Sequence, residues 1–286
     1  MPEPASVAAT AEDFYGQPCL RLAFGPQDSV LVALHGAHVL SWVGAGEERL
    51  YLSPKALLDG KSAIRGGVPV CFPQFNDRGP LPKHGFARNL RWTAAGTGRG
   101  AATSDVQLSM RLASDATTLA IWPQQFEAHL TVSIGPGRLK IELAARNTGT
   151  ATWSFSGALH TYLRVHALAG VRLEGLSGQP YWDGPSDTRG TQSGDIAFTG
   201  EFDRVYRAAS QPLVLRDGSR ALRIAQSTTF ADTVVWNPGA AKCATLADMP
   251  ADGFEHMACV EAAQVEQPVT LAPGAQWVGW QQLNVA

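Results

Sequence analysis

The chain has 286 residues, a formal net charge of −2 at pH 7, 45% hydrophobic and 17% charged residues, and 29 Gly with 18 Pro. That length fits one large domain or two small ones, and the low charge content with many turn residues describes a folded chain with a large core. Near-neutral charge excludes broad binding to nucleic acid or to a membrane surface, and no run approaches the roughly 18 apolar residues of a spanning helix.

The opening "MPEPASVAATAEDFYGQP" lacks a basic start followed by an apolar core, so no secretory signal is expected and a cytoplasmic location is. Residues 1 to about 18 read as a looser leading strand. "SVLVALHGAHVLSW" reads as strand, and "SPKALLDG" as a short turn. "DVQLSMRL" places Val106, Leu108, Met110 and Leu112 on one face, and "ASDAT" after it reads as a second turn. In "FEAHLTVSIGPGRLKIELAARN", two alternating runs flank Gly-Pro-Gly, which predicts a hairpin. "LVLRDGSRALRIA" repeats that design around Asp217 and Gly218, and "VTLAPGAQWVGWQQL" ends the series. Helical periodicity is almost absent and no Gly/Ser linker interrupts the pattern. The expectation is an all-β fold, an antiparallel sandwich or barrel with few short helices, in a single domain spanning residues 1–286.

Three stretches break the alternation. "SAIRGGVPVCFPQFNDRGPLPKHGFARNLRW" is apolar yet punctuated by Gly and Pro, so tertiary contacts must fix it, and such loops often carry function. It holds Arg65, Gln74, His84 and Arg88. "SGALHTYLRV" sets His160 in an apolar run. "MACVEAAQV" sets Glu261 among small residues, where burial raises a carboxyl pKa and demands a partner. Other chemistries lack their signatures. There is no Walker loop and no GxGxxG opening a helix. Ser156 lies outside a GxSxG elbow. Cys19, Cys71, Cys243 and Cys259 are widely spaced and read as free, buried thiols, with no zinc spacing. His35 and His38 read as structural, because a His-x-x-His on a strand has poor metal geometry and no third ligand nearby. His129, His166 and His256 receive no role.

Six segments in order, "SAIRGGVPVCFPQF…HGFARNLRW", "ALHTYLRV", "EFDRVY", "VVWNPG", "MACVEAAQV" and "LAPGAQWVGWQQL", resemble the hexose-6-phosphate mutarotases of the aldose 1-epimerase superfamily, from about Ser29 to Leu283. The resemblance implies a large antiparallel β-sandwich of the galactose mutarotase type, no cofactor and no metal requirement. It implies His160 and Glu261 as the catalytic pair. It also implies Arg65, Gln74, His84, Arg88 and Asp203 as substrate-binding positions. Asn76 replaces the expected Gly after "FPQF"; Asn tolerates a left-handed backbone, so the turn is expected to survive. "FEHM" before Cys259 also departs from the family pattern, which concerns nearby substrate contacts.

Interconverting the anomers of an aldose requires ring opening. The O1 proton must leave while the ring oxygen gains one, a task for one base and one acid set on opposite sides of the hemiacetal. Glu261 as base and His160 as imidazolium meet that demand, and an imidazole near its reference pKa of about 6.5 both gives and retakes a proton. The expected partner is a hexose 6-phosphate held by arginine, with Lys83 as a weaker candidate, and a monomer is expected. Three alternatives stand beside this reading. They are a mutarotase for free aldoses, a non-catalytic sugar-phosphate-binding protein on the same fold, and a glycoside hydrolase using Asp203 and Glu261.

Overall fold

The computed structural model describes residues 8–100 and 104–286. Three antiparallel sheets carry nearly all of the regular structure. A five-stranded sheet runs in chain order from Thr10–Phe14 to Glu47–Glu48. The leading stretch is thus an exposed edge strand paired with Gln17–Phe24, joined by Tyr15 and Gly16, both at positive φ as a two-residue hairpin turn requires. Residues 1–7 of that stretch lie outside the described residues.

One eight-stranded sheet is centred on the predicted hairpin, Phe126–Gly135 and Arg138–Asn147, flanked by Val106–Ala113 and by the C-terminal strand Gln276–Val285. The other is centred on Asp232–Asn237, Met257–Leu271 and Trp153–Leu159. Alternate residues of these two sheets meet in one core, where Leu130, Ile141 and Leu143 share a cluster with Phe155, Val235 and Val260. A polar contact crosses the layer as well: Gln281 Nε2 donates to the Val260 carbonyl at 2.9 Å. The architecture is the expected β-sandwich.

One element departs from the sequence reading. "ASDAT" is not a bare turn but the start of an α-helix, Ala116–Ile121. Asp115 accepts the Thr118 N–H at 2.8 Å, and Thr118 Oγ1 accepts the Asp115 N–H at 2.8 Å. This reciprocal cap satisfies two end groups that a six-residue helix would otherwise leave open.

His38 and Gly67 pin the first sheet to the irregular Gly- and Pro-rich loop. His38 is fully buried, and its Nε2 donates to the Gly66 carbonyl at 2.7 Å while Nδ1 has no partner. A Cβ on Gly67 would stand 2.2 Å from the Val39 carbonyl oxygen, so the segments meet as closely as backbone allows. Burial pushes the His38 imidazole down to about 3. The unfolded chain, with the reference value of about 6.5, binds a proton that the native chain refuses between those limits. This contribution to stability is therefore complete above pH ~6.5 and falls with acidification, by at most about 1.4 kcal/mol per pH unit. Urea unfolding at pH 7 and pH 5 is expected to show a smaller drop for His38→Gln than for the native chain. Equal drops in the two proteins would remove His38 from this role.

Candidate active site

Alternation along Met257–Leu271 decides which residues meet the cavity. Ala258, Val260 and Ala262 enter the core between the sheets, so Cys259 and Glu261 lie on the opposite face. Glu261 is paired in register with Val234, and its side chain is 1% exposed. His160 follows the neighbouring strand Trp153–Leu159, where its N–H donates to the Pro69 carbonyl at 3.0 Å. His160 Nδ1 stands 3.1 Å from Glu261 Oε1. The approach lacks hydrogen-bond alignment, and His160 Nδ1 and Glu261 Oε2 are both buried without a partner. The pair stands side by side on adjacent strands rather than facing across a gap. Its Nδ1 edge turned to Glu261 leaves Nε2 of His160 for a ligand.

A chain of contacts fixes that ring. Tyr162 stacks on His160 with centroids 4.9 Å apart and planes 9° from parallel. Arg65 Nη1 donates to Tyr162 Oη at 3.0 Å, and Arg65 Nε is held by the Asp248 carboxylate at 3.2 Å. Trp236 closes another side of the imidazole, edge-on at 5.9 Å.

The irregular loop supplies the facing wall. Phe86 and Trp92 are buried in the main core, and Trp92 Nε1 donates to the Ala87 carbonyl at 3.0 Å. Ahead of these anchors the chain bends through left-handed residues: Asn76 at φ 49°, His84 at 62° and Gly85 at 70°. The Asn76 turn thus survives the replacement of Gly. The Asn76 N–H donates to His84 Nδ1 at 3.3 Å, and the Cys71 thiol lies 3.2 Å from the same atom. Nδ1 is therefore the acceptor, and the ring proton resides on Nε2. Burial, helped by Arg88 and Lys83, pushes His84 down to about 3, so it is a neutral donor at pH 7.

Around the pair, burial dominates the electrostatics. It raises Glu261 well above the usual carboxylate range, with Asp203 adding to the rise. It lowers His160 well below the usual imidazole range, with His84, Arg65 and Arg88 adding to the fall. Each group alone favours its neutral form, so the pair holds one proton between two sites. Burial raises the Asp203 carboxyl too, against the pull of Lys242.

His160, Glu261, His84, Arg65, Arg88 and Asp203 all line one cavity of ≈ 280 Å³. Gln74 does not. Its Nε2 donates to the carbonyls of Asn76 and Leu81 at 3.0 and 2.9 Å, and its Oε1 accepts the Leu81 N–H at 2.9 Å. Its amide is consumed in clasping the loop, so of the expected substrate-binding residues it is the one set off the cavity. Arg65 lines the cavity but is already engaged by Asp248 and Tyr162. Arg88 Nη2 donates to the Lys83 carbonyl at 2.9 Å, Nε is buried without a partner, and no carboxylate among the described residues pairs with it. The sequence reading assigned no role to several lining residues, Tyr162, Trp236 and Lys242 among them. Tyr162 and Trp236 sit inside quoted segments, "ALHTYLRV" and "VVWNPG", whereas Lys242, paired with Glu201 at 2.6 Å, gave no signal. Among the described residues, one group has the donors to hold a metal ion: His160, Cys259 and Glu261.

Comparison with known proteins matches residues 18–284 to the aldose 1-epimerase family. The chain belongs to this family. It is 39% identical over 260 residues to a protein of Cenchrus ciliaris, covering 87% of this chain and 78% of the relative. It is 36% identical over 248 residues to one of Escherichia coli strain K12, covering 85% and 82%. Both relatives are provisionally named glucose-6-phosphate 1-epimerase. A crystal structure of a provisionally named mutarotase from Salmonella typhimurium superposes with a TM-score of 0.88 at 30% identity, covering 99% of this chain and 95% of that one. This aldose 1-epimerase is an isomerase with mutarotase activity. No helix among the described residues is long and apolar enough to cross a membrane.

In this epimerase the tight bend after His84 tests the wall. A Cβ on Gly85 would stand 2.1 Å from the Phe72 carbonyl oxygen, at a φ that L residues rarely adopt. Gly85→Ala is expected to lower unfolding free energy by more than about 1 kcal/mol, measured by urea denaturation. A stability equal to the native protein would show that the bend yields without cost.

Proposed function

We propose that this enzyme interconverts the α and β anomers of a hexose 6-phosphate, with glucose 6-phosphate as the leading substrate. The observation that carries the proposal is Arg88, a guanidinium without a carboxylate partner on the same cavity as the His160–Glu261 pair. A phosphate dianion supplies the partner that Arg88 lacks, with Lys83 beside it. The names of the relatives support the same substrate.

His160 and Glu261 are the proposed acid–base pair. O1 and the ring oxygen of a hemiacetal are bonded to one carbon, so two side-by-side groups reach both. Ring opening draws on the form with Glu261 ionised and His160 protonated. Glu261 takes the O1 proton, the C1–O1 electrons close to a carbonyl, and the C1–O5 bond breaks onto O5. His160 gives its proton to O5. The aldehyde turns about C1–C2, and the steps run backwards onto its other face, with each proton returning to its source. His84, neutral and proton-bearing at Nε2, and Asp203, which lines the same cavity, are the proposed contacts to sugar hydroxyls. The Asp248–Arg65–Tyr162 chain keeps the His160 ring in plane, a positioning task rather than a phosphate contact.

Exchange NMR between the anomers of glucose 6-phosphate tests the activity. Glu261→Gln is expected to slow exchange by about 100-fold or more, the usual scale of a general-base contribution. Near-normal exchange by that variant excludes Glu261 as the base. Arg88→Ala is expected to weaken use of glucose 6-phosphate by about 10- to 100-fold, the scale of charged hydrogen bonds worth roughly 1.5–3 kcal/mol. Free glucose should be used poorly by the native enzyme and little affected by Arg88→Ala. Equal losses on both sugars would mark Arg88 as structural. A native preference for glucose would favour the free-aldose reading.

A further inference from the structure

Cys259 has no task in the acid–base chemistry, yet it lies against both of its groups. It sits two residues before Glu261 on the same strand face, fully buried, while His160 approaches from the adjacent strand. The cysteine sulfur, one imidazole nitrogen and one carboxylate oxygen all lie within 4.8 Å of one another. Two of the neighbouring polar atoms, His160 Nδ1 and Glu261 Oε2, are buried with no hydrogen-bond partner. His160 and Glu261 are 10% and 1% exposed, and both line the cavity.

We propose that His160, Cys259 and Glu261 form a three-ligand site for a borderline-soft divalent cation of the zinc type, and that its occupation silences the enzyme. Thiolate, imidazole and carboxylate are the donors that such ions select, and three protein ligands leave a fourth tetrahedral position open. Metal–ligand bonds of about 2.0–2.3 Å set tetrahedral donors roughly 3.3–3.8 Å apart. The 3.1 Å between His160 and Glu261 and the 4.8 Å limit of the trio bracket that spacing, so small side-chain rotations suffice. The charges also close. A divalent ion, one thiolate and one carboxylate sum to zero beside a neutral imidazole, so the buried cluster carries no net charge. On binding, the Cys259 thiol and the Glu261–His160 pair each release one proton to solvent as the ligand–metal bonds form. The open position faces the cavity, where a water or a sugar hydroxyl fills it.

The silencing rests on the acid–base reading above, because the ion occupies both proton carriers; the metal site itself does not. The test titrates Co²⁺ into chelator-treated protein without sugar. One equivalent is expected to bind with a thiolate-to-cobalt charge-transfer band in the near ultraviolet and tetrahedral bands in the visible. Cys259→Ala is expected to lose the charge-transfer band and bind at least about tenfold more weakly, while Cys71→Ala retains the band. Cys259→Ser gives the same comparison if alanine does not fold there. In anomer exchange, Zn²⁺ should inhibit the native enzyme reversibly, with recovery on adding chelator, whereas Cys259→Ala stays active and resists the metal. A native protein without the charge-transfer band, or a band that survives loss of Cys259, overturns the site. Equal inhibition of both proteins overturns the silencing role of Cys259. Absence of exchange in both proteins counts against the activity reading, and the cobalt spectra then decide the metal site alone.

Discussion

Everything at the site depends on keeping one carboxylate out of water. Glu261 is 1% exposed, and a buried ionisable group persists only where its proton or its charge has a partner. That requirement fixes more than one residue. Because strand side chains alternate, a slip of one position in Met257–Leu271 would send Glu261 between the sheets and bring Val260 or Ala262 to the cavity. The apolar row facing the core and the acid facing the cavity therefore enforce the same register. Two neighbours share it: Val234 stands opposite Glu261, and Leu159, one residue before His160, stands opposite Ala262. Placement of the imidazole follows from the same pairing that hides the carboxylate.

The cations around the pair divide into those already committed and one that is not. Arg65 is held by Asp248 and Tyr162, Lys242 by Glu201, and Lys83 reaches Asp77 at 3.5 Å on an exposed rim. Committed charges shape the cavity and orient rings. Arg88 alone in this set lacks an acidic partner, although Phe86, Ala87 and Trp92 hold its backbone firmly. A guanidinium on a rigid base loses little freedom when it takes a ligand, which favours tight and directional contact.

The strand pattern was legible because period-two alternation is written locally. The hairpin between Phe126 and Asn147 and the turn at Asp217–Gly218 needed no distant information. The helix at Ala116–Ile121 was missed because its signal is a reciprocal cap between Asp115 and Thr118 rather than an apolar period. The candidate residues drawn from the quoted segments came together in one cavity, except for Gln74. What the sequence could not show were partners remote along the chain. Asp248 is 183 residues from Arg65, and nothing near either residue announces that they meet. Gln74 stands off the cavity for the opposite reason. Its partners, Asn76 and Leu81, are so close in sequence that its amide is absorbed by its own loop.

The backbone at His84 carries a constraint on the history of this position. A φ of 62° excludes β-branched and bulky residues, while the Asn76 N–H and the Cys71 thiol require an acceptor at the place of Nδ1. Few side chains satisfy both demands; Asn keeps the left-handed bend and offers an oxygen, and Gly keeps only the bend. Position 84 is therefore nearly closed to drift. Lys83 and Lys242 line the same cavity with solvated side chains, at backbone positions that impose no such filter.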